Sequence, residues 1–117
     1  MIDERDLAEL ESTMLTGVTV GVGSQILVFG NGASVLVQCP FICESQEREQ
    51  QGHGEHIYTS ELFFAFLNGQ VESACLEEGG VLLLKFDGSR SLRIVPEHNG
   101  LESYVVTTRF GICPVAV

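Results

Sequence analysis

Residues 15–40 read LTGVTVGVGSQILVFGNGASVLVQCP, and residues 67–96 read LNGQVESACLEEGGVLLLKFDGSRSLRIVP. The second stretch repeats the plan of the first. Leu15 and Gly17 match Leu67 and Gly69 at an offset of 52, while Gly32, Leu36 and Pro40 match Gly88, Leu92 and Pro96 at an offset of 56. The turn Glu77-Glu78-Gly79-Gly80 absorbs the difference. Internal repetition of this kind specifies an architecture rather than a chemistry.

Each copy alternates strand-forming runs with glycine turns. Val18, Val20 and Val22 alternate with Thr19 and Gly21, the pattern of a half-buried strand. Gly23-Ser24 reads as a two-residue turn. Ile26 to Phe29 is continuously apolar, and Gly30-Asn31-Gly32 supplies the positive φ for a reversal. Ala33 to Cys39 puts Val35, Val37 and Cys39 on one face, and Pro40 ends that strand or marks an edge. The second copy runs Gln70–Leu76, Val81–Phe86 and Ser89–Val95, with Asp87-Gly88 as a hairpin turn. Asn99-Gly100 makes the next turn, Leu101 to Thr107 a further strand, and Phe110–Val117 an edge strand interrupted by Pro114. The expected fold is mainly β: a duplicated antiparallel β-meander forming a sandwich or roll, with one or two short helices.

The helices are expected at Asp3–Met14 and Ser60–Leu67. In the first, Asp3 suits the N-cap, and Leu7, Leu10 and Met14 make one apolar stripe. The second, SELFFAFL, starts at Ser60 and closes at Asn68-Gly69. It is apolar almost all round, which implies burial against a sheet. Between the copies, residues 44–56, ESQEREQQGHGEH, are strongly polar and read as a mobile loop. The 117 residues form a single domain, 1–117.

Sixteen acidic residues against six basic ones give a net charge of −10. That balance repels phosphate backbones and anionic membranes, so neither nucleic acid nor membrane is an expected partner. A basic protein is steered toward it. No apolar run approaches the ~20 residues of a membrane span. MIDERDLAELES lacks the basic-then-apolar order of a signal peptide, so a cytoplasmic address is expected. The four cysteines then read as free thiols. Cys75 and Cys113, in apolar segments, are expected to be buried, with contact between them left open.

Few residues suggest chemistry. Cys39, Cys43, His53 and His56 form the one metal-like set, C-x3-C followed by H-x2-H, but the spacing departs from that of zinc fingers. The same groups could serve as thiol and base, although an acidic neighbourhood raises a thiol pKa. The bland alternative is a buried Cys39, a loop-start Cys43 and two solvated histidines. No cofactor motif is present: Gly21-x-Gly23 and Gly30-x-Gly32 lie between strands and open no helix. Glu44, Glu47, Glu49 and Glu55 cluster in one segment, Glu72, Glu77 and Glu78 in another. They read either as solvated surface or as a docking patch for a cationic partner, and no calcium-loop pattern joins them.

The repeated order is Leu-x-Gly, a valine-rich strand, an apolar strand ending in Phe, a glycine turn and a final strand. With the closing NGLESYVV of residues 99–106, it resembles small bacterial β-rich domains akin to the immunity proteins of polymorphic and contact-dependent toxin systems. The resemblance spans about residues 15–108, with Tyr104 at a position that is often Trp in the family. It implies a non-enzymatic protein that binds and blocks one cognate toxin. The acidity suits a basic toxin surface, contacted through the two glutamate groups. A non-catalytic protein- or ligand-binding β module is the alternative, and a zinc or thiol enzyme built on Cys39, Cys43, His53 and His56 the third.

Overall fold

The alternation of strand runs and glycine turns produces ten strands and two short helices. In the computed structural model, which describes residues 1–117, helix α1 spans Glu4–Leu10 and helix α2 spans Glu61–Phe64. The strands are β1 Leu15–Gly21, β2 Ser24–Phe29, β3 Ser34–Val37, β4 Pro40–Ser45, β5 Arg48–His53, β6 Val71–Glu77, β7 Val81–Phe86, β8 Arg90–Ile94, β9 Glu102–Thr108 and β10 Gly111–Ala116. They form two antiparallel five-stranded sheets. Sheet one has the order β1-β2-β3-β9-β10 and sheet two the order β5-β4-β8-β7-β6.

The two copies of the meander therefore lie in different sheets, β1-β2-β3 in one and β6-β7-β8 in the other. Each is followed by a hairpin that crosses over. β4-β5 joins β8 in sheet two, and β9-β10 joins β3 in sheet one. The inner faces meet in one core. Leu27, Phe29, Val35, Val37 and Phe41 pack with Leu82, Leu84, Phe86, Leu92 and Ile94, all essentially inaccessible.

The register of the repeat differs from the glycine-matched one. The inward residues Leu27, Phe29, Val35 and Val37 correspond to Leu84, Phe86, Leu92 and Ile94, an offset of 57. Leu36, matched to Leu92 by the glycines, is only half-buried and on the opposite face. The two connections are equally long, Phe29 closing on Ala33 as Phe86 does on Arg90, but the glycine stands third after Phe29 and second after Phe86, so aligning glycines shifts the strand by one place and flips every side chain. Likewise Leu67-Asn68-Gly69 is the turn after α2, and the counterpart of Leu15 is Val71; both are fully buried. The starts of β1 and β6 join directly through a Met14–Gln70 bridge.

The turn chemistry places most reversals well. Gly88 (φ +73) occupies the Asp87-Gly88 turn, and Pro114 sits on the edge strand β10, where a missing N–H is tolerated. The first hairpin instead turns at Val22-Gly23, with Gly21 paired to Ser24. Val20 and Val22 are consequently exposed, because β1 is an edge strand and Val22 lies in the turn.

Helix α1 is shorter than its apolar stripe. Asp3 caps it in a full capping box with Asp6, but Ser12 (φ +61) ends the path and Met14 passes into the bridge. Glu11 turns its carboxylate to the Ala74 N–H of β6 (3.0 Å). Helix α2 is a single turn entered from a 3-10 turn at Ile57–Ser60. Ser60 does not cap it; its hydroxyl donates to the Ile57 carbonyl (2.7 Å). Phe63 and Phe66 are buried, whereas Phe64 and Leu67 are exposed. The two helical segments close opposite open sides of the sandwich. α1 packs on β6 and β9, and the 3-10 turn packs on β1, β2 and β5.

The polar segment 44–56 is not a loop. Its residues complete β4 and form β5, paired from Pro40–His53 to Ser45–Arg48. β5 is an outermost strand with little buried surface, so its sequence lacks the apolar alternation that marks half-buried strands. Pro40 begins β4, and Cys43 lies within β4 with its side chain in the core.

Candidate partner-binding surface

All seven glutamates proposed for contact belong to sheet two or its connecting turns. Glu44, Glu49 and Glu77 come from β4, β5 and β6, on the side opposite the core. Glu44 and Glu49 are direct cross-strand partners. Like charges so placed repel unless a cation intervenes. Arg93 of β8 supplies a cation to Glu44 and leaves Glu49 unpaired. Its guanidinium pairs with Glu44 and, through Nε, with Glu77 (2.9 Å). The Glu77 hydrogen bond holds Arg93 above its already high ordinary pKa, against the desolvation that lowers it. Arg93 was not among the residues picked out from the sequence; its position opposite Ile42 and Leu83 follows only from strand register.

The other four glutamates are spread more widely. Glu47 lies in the β4–β5 turn, lining a polar depression with Arg48, Gly88 and Arg90. Glu72 lines a shallow depression with Lys85 and Arg90. Glu78 sits in the 3-10 turn Glu78–Gly80 between β6 and β7. Glu55 follows β5, its N–H donating to His53 Nδ1 (3.1 Å). Because Ser45 pairs with Arg90 while Pro40 pairs with His53, Glu47 and Glu55 mark opposite ends of sheet two.

The cysteine and histidine set does not assemble. Cys39 and Cys43 are inside the core, and burial pushes both thiols up to about 12. His53 and His56 stack on each other at the surface, ring centroids 4.8 Å apart. The ligand atoms that do converge belong to His53, Glu55 and Glu97, all within 4.8 Å of one another. His53 stands between the two carboxylates, with Nδ1 3.9 Å from Glu55 and Nε2 3.7 Å from Glu97. The Glu55 N–H occupies Nδ1, so the neutral ring carries its proton on Nε2, toward Glu97. This arrangement ties the end of β5 to the β8–β9 crossover.

Cys75 departs from the expected burial; it is exposed on the outer side of β6, and all four cysteines are free. Reactivity should follow this division. In native protein near neutral pH, an aromatic disulfide reagent is expected to modify Cys75 quickly. Cys39 and Cys43 should react only at the rate of unfolding, because both access and thiolate are lacking. Rapid modification of Cys39 or Cys43, mapped by peptide mass, would contradict the buried placement.

One apolar cavity of about 360 Å3 opens beside α1, lined by Ile2, Leu76, Tyr104, Pro114 and Val115 among others. The Tyr104 hydroxyl is not free for a ligand, since it donates to the Gly80 carbonyl (2.7 Å). No helix is long and apolar enough to cross a membrane. No family model, curated protein or solved structure matches the chain.

Proposed function

We propose that this chain is an immunity protein that binds a cognate basic bacterial toxin and covers its active surface. The observation that carries this reading is the location of the seven glutamates, all on one sheet and its turns, in a protein of net charge −10. Sheet two also carries Arg48, Lys85, Arg90 and Arg93, so it is the excess of glutamate over these cations that accelerates encounter with a cationic partner and favours it over neutral ones. Glu44 and Glu77 are held by Arg93, which fixes their direction, whereas Glu47, Glu49 and Glu78 form no ion pair within the chain. We assign these three the main role in steering. The thiols of Cys39 and Cys43 stay protonated and enclosed, which argues against a nucleophilic role for them.

Affinity purification of the tagged chain from its native cells should yield one stoichiometric basic partner. With that partner in hand, the triple variant Glu47→Lys, Glu49→Lys and Glu78→Lys is expected to slow association about tenfold or more at low salt. It should also flatten the salt dependence of the association rate, while Val22→Lys in the exposed β1–β2 turn leaves both unchanged. Equal rates for the triple variant and the native chain would remove the acidic surface from the interface.

The cavity beside α1 favours a second reading, a module that binds a small apolar ligand. Its volume falls within the usual range for ligand sites, but its lining offers few groups to orient a ligand.

A further inference from the structure

The two sheets differ sharply in their outward chemistry. From Ser12 to Cys43 the sequence contains no Asp, Glu, Lys, Arg or His, and this stretch supplies β1, β2 and β3. The register extends the uncharged surface across β9 and β10. One outward row runs Thr19–Ile26–Leu36–Val105–Pro114, and the next runs from Gly17 through Val28 to Ile112. Ile112 is 71% exposed and Pro114 is also exposed. Antiparallel sheets with one solvated face ordinarily alternate apolar-in with polar-out. Here β2, β3 and β9 present Ile26, Val28, Leu36 and Val105 on the outer side as well.

We infer that this outer face of sheet one is an interface, and that its occupant is a second copy of the chain, stacked face to face about a twofold axis. Three arguments select that occupant. The face offers no charge to a cationic partner, so recognition there must be apolar. Five strands at about 4.8 Å spacing and six residues at about 3.3 Å rise give a footprint of roughly 480 Å2 per copy. The pair then buries about 1,000 Å2, the lower bound for a specific interface. Finally, stacking sheet one on sheet one keeps the anionic sheets apart. With layers about 10 Å from one another, the two copies of sheet two lie roughly 30 Å apart. That exceeds the Debye length of about 8 Å at physiological salt, so repulsion between the sheet-two glutamates of the two copies is largely screened. Any arrangement bringing the sheet-two faces together would oppose Glu44, Glu49 and Glu77 to their own copies. This inference is independent of the toxin reading, since it leaves sheet two open.

Sedimentation equilibrium of the full chain, from low micromolar to near-millimolar concentration and from low to molar salt, tests it. The expected result is a monomer–dimer equilibrium that tightens as salt rises, because salt screens the residual repulsion and strengthens apolar burial. Ile112→Lys is expected to weaken the dimer about tenfold or more, since two buried ammonium groups face an apolar surface. Its side chain is mostly exposed in one copy, so the variant should retain native circular dichroism. Leu36→Lys is the second variant, and Glu49→Lys should leave the dimer no weaker. A chain that stays monomeric throughout overturns the inference, including one that instead binds lipid vesicles. So does a dimer that dissociates as salt rises, or one that ignores both lysine substitutions.

Discussion

Gly54→Ala is expected to be severely destabilising. Gly54 follows β5, and its N–H donates to the Cys39 carbonyl (2.9 Å) at the β3–β4 crossover. A Cβ on Gly54 would stand 2.1 Å from the Val37 carbonyl oxygen and 2.8 Å from the Gln38 nitrogen. These are backbone atoms, so no rotamer change relieves the clash. The Gln25 side chain also holds this turn, its amide nitrogen donating to the carbonyls of His53, Gly54 and His56 (3.1–3.3 Å). Separating the two backbones would pull at β3, β4 and that amide together. The expected loss is about 4 kcal/mol or more, a drop of roughly 15 °C in Tm for a domain of this size. Gly32→Ala is the control. Gly32 has φ +89 with nothing near its Cβ position, and its substitution should cost only about 1–2 kcal/mol of backbone strain. Thermal unfolding of the two variants side by side decides the point. A Gly54→Ala protein no less stable than Gly32→Ala would mean that the crossover is far more yielding than its geometry indicates.

Phe63→Ala is expected to cost about 3–5 kcal/mol. The Phe63 ring is fully buried and stacks on Phe41, centroids 4.0 Å apart. It is also the inward anchor of the helical segment that closes the sandwich between β5 and β1–β2. Removing it leaves a cavity and loosens that segment. The adjacent Phe64 is 48% exposed, and Phe64→Ala should stay within about 0.5 kcal/mol of the native chain. Urea midpoints for the pair give the measurement. Similar losses for both would show that α2 packs with a different face inward.

The contrast between Phe63 and Phe64 shows where sequence reasoning stops. In SELFFAFL every apolar residue has the same claim to the interior. A single helical turn has only one side against the core, and which side depends on how the preceding 3-10 turn enters it. The glutamates follow the same rule. Their clustering at 44–55 and 72–78 is visible in the chain, yet their nearest neighbours are not. Arg93 joins Glu44 to Glu77 because β4 and β6 flank β8 and β7 in one sheet. His53 lies between Glu55 and Glu97, 44 positions away in sequence from the latter, only because the crossover after β8 passes the end of β5. Cys39 and Cys43 parted from the histidines for an equally local reason: both cysteines face the core, and the histidines stack outside it.

What the sequence by itself determined is what depends on neighbours along the chain. Period-two patterning defined β3 and β9, glycine and asparagine marked the reversals, and Asp3 capped the first helix. These features established a mainly β protein built from a repeated meander. Tertiary structure decided what depends on strands meeting across the fold. It separated the meanders into facing sheets and exchanged their trailing hairpins. It also made a strand of the polar 48–53 segment by pairing it to β4, since an edge strand has backbone partners without needing an apolar face. And it gathered the uncharged stretch 12–43 with β9 and β10 into one outward surface opposite the acidic one. Charge and hydropathy were written in the residues, but the sides they occupy were set by register, which no window of local sequence contains.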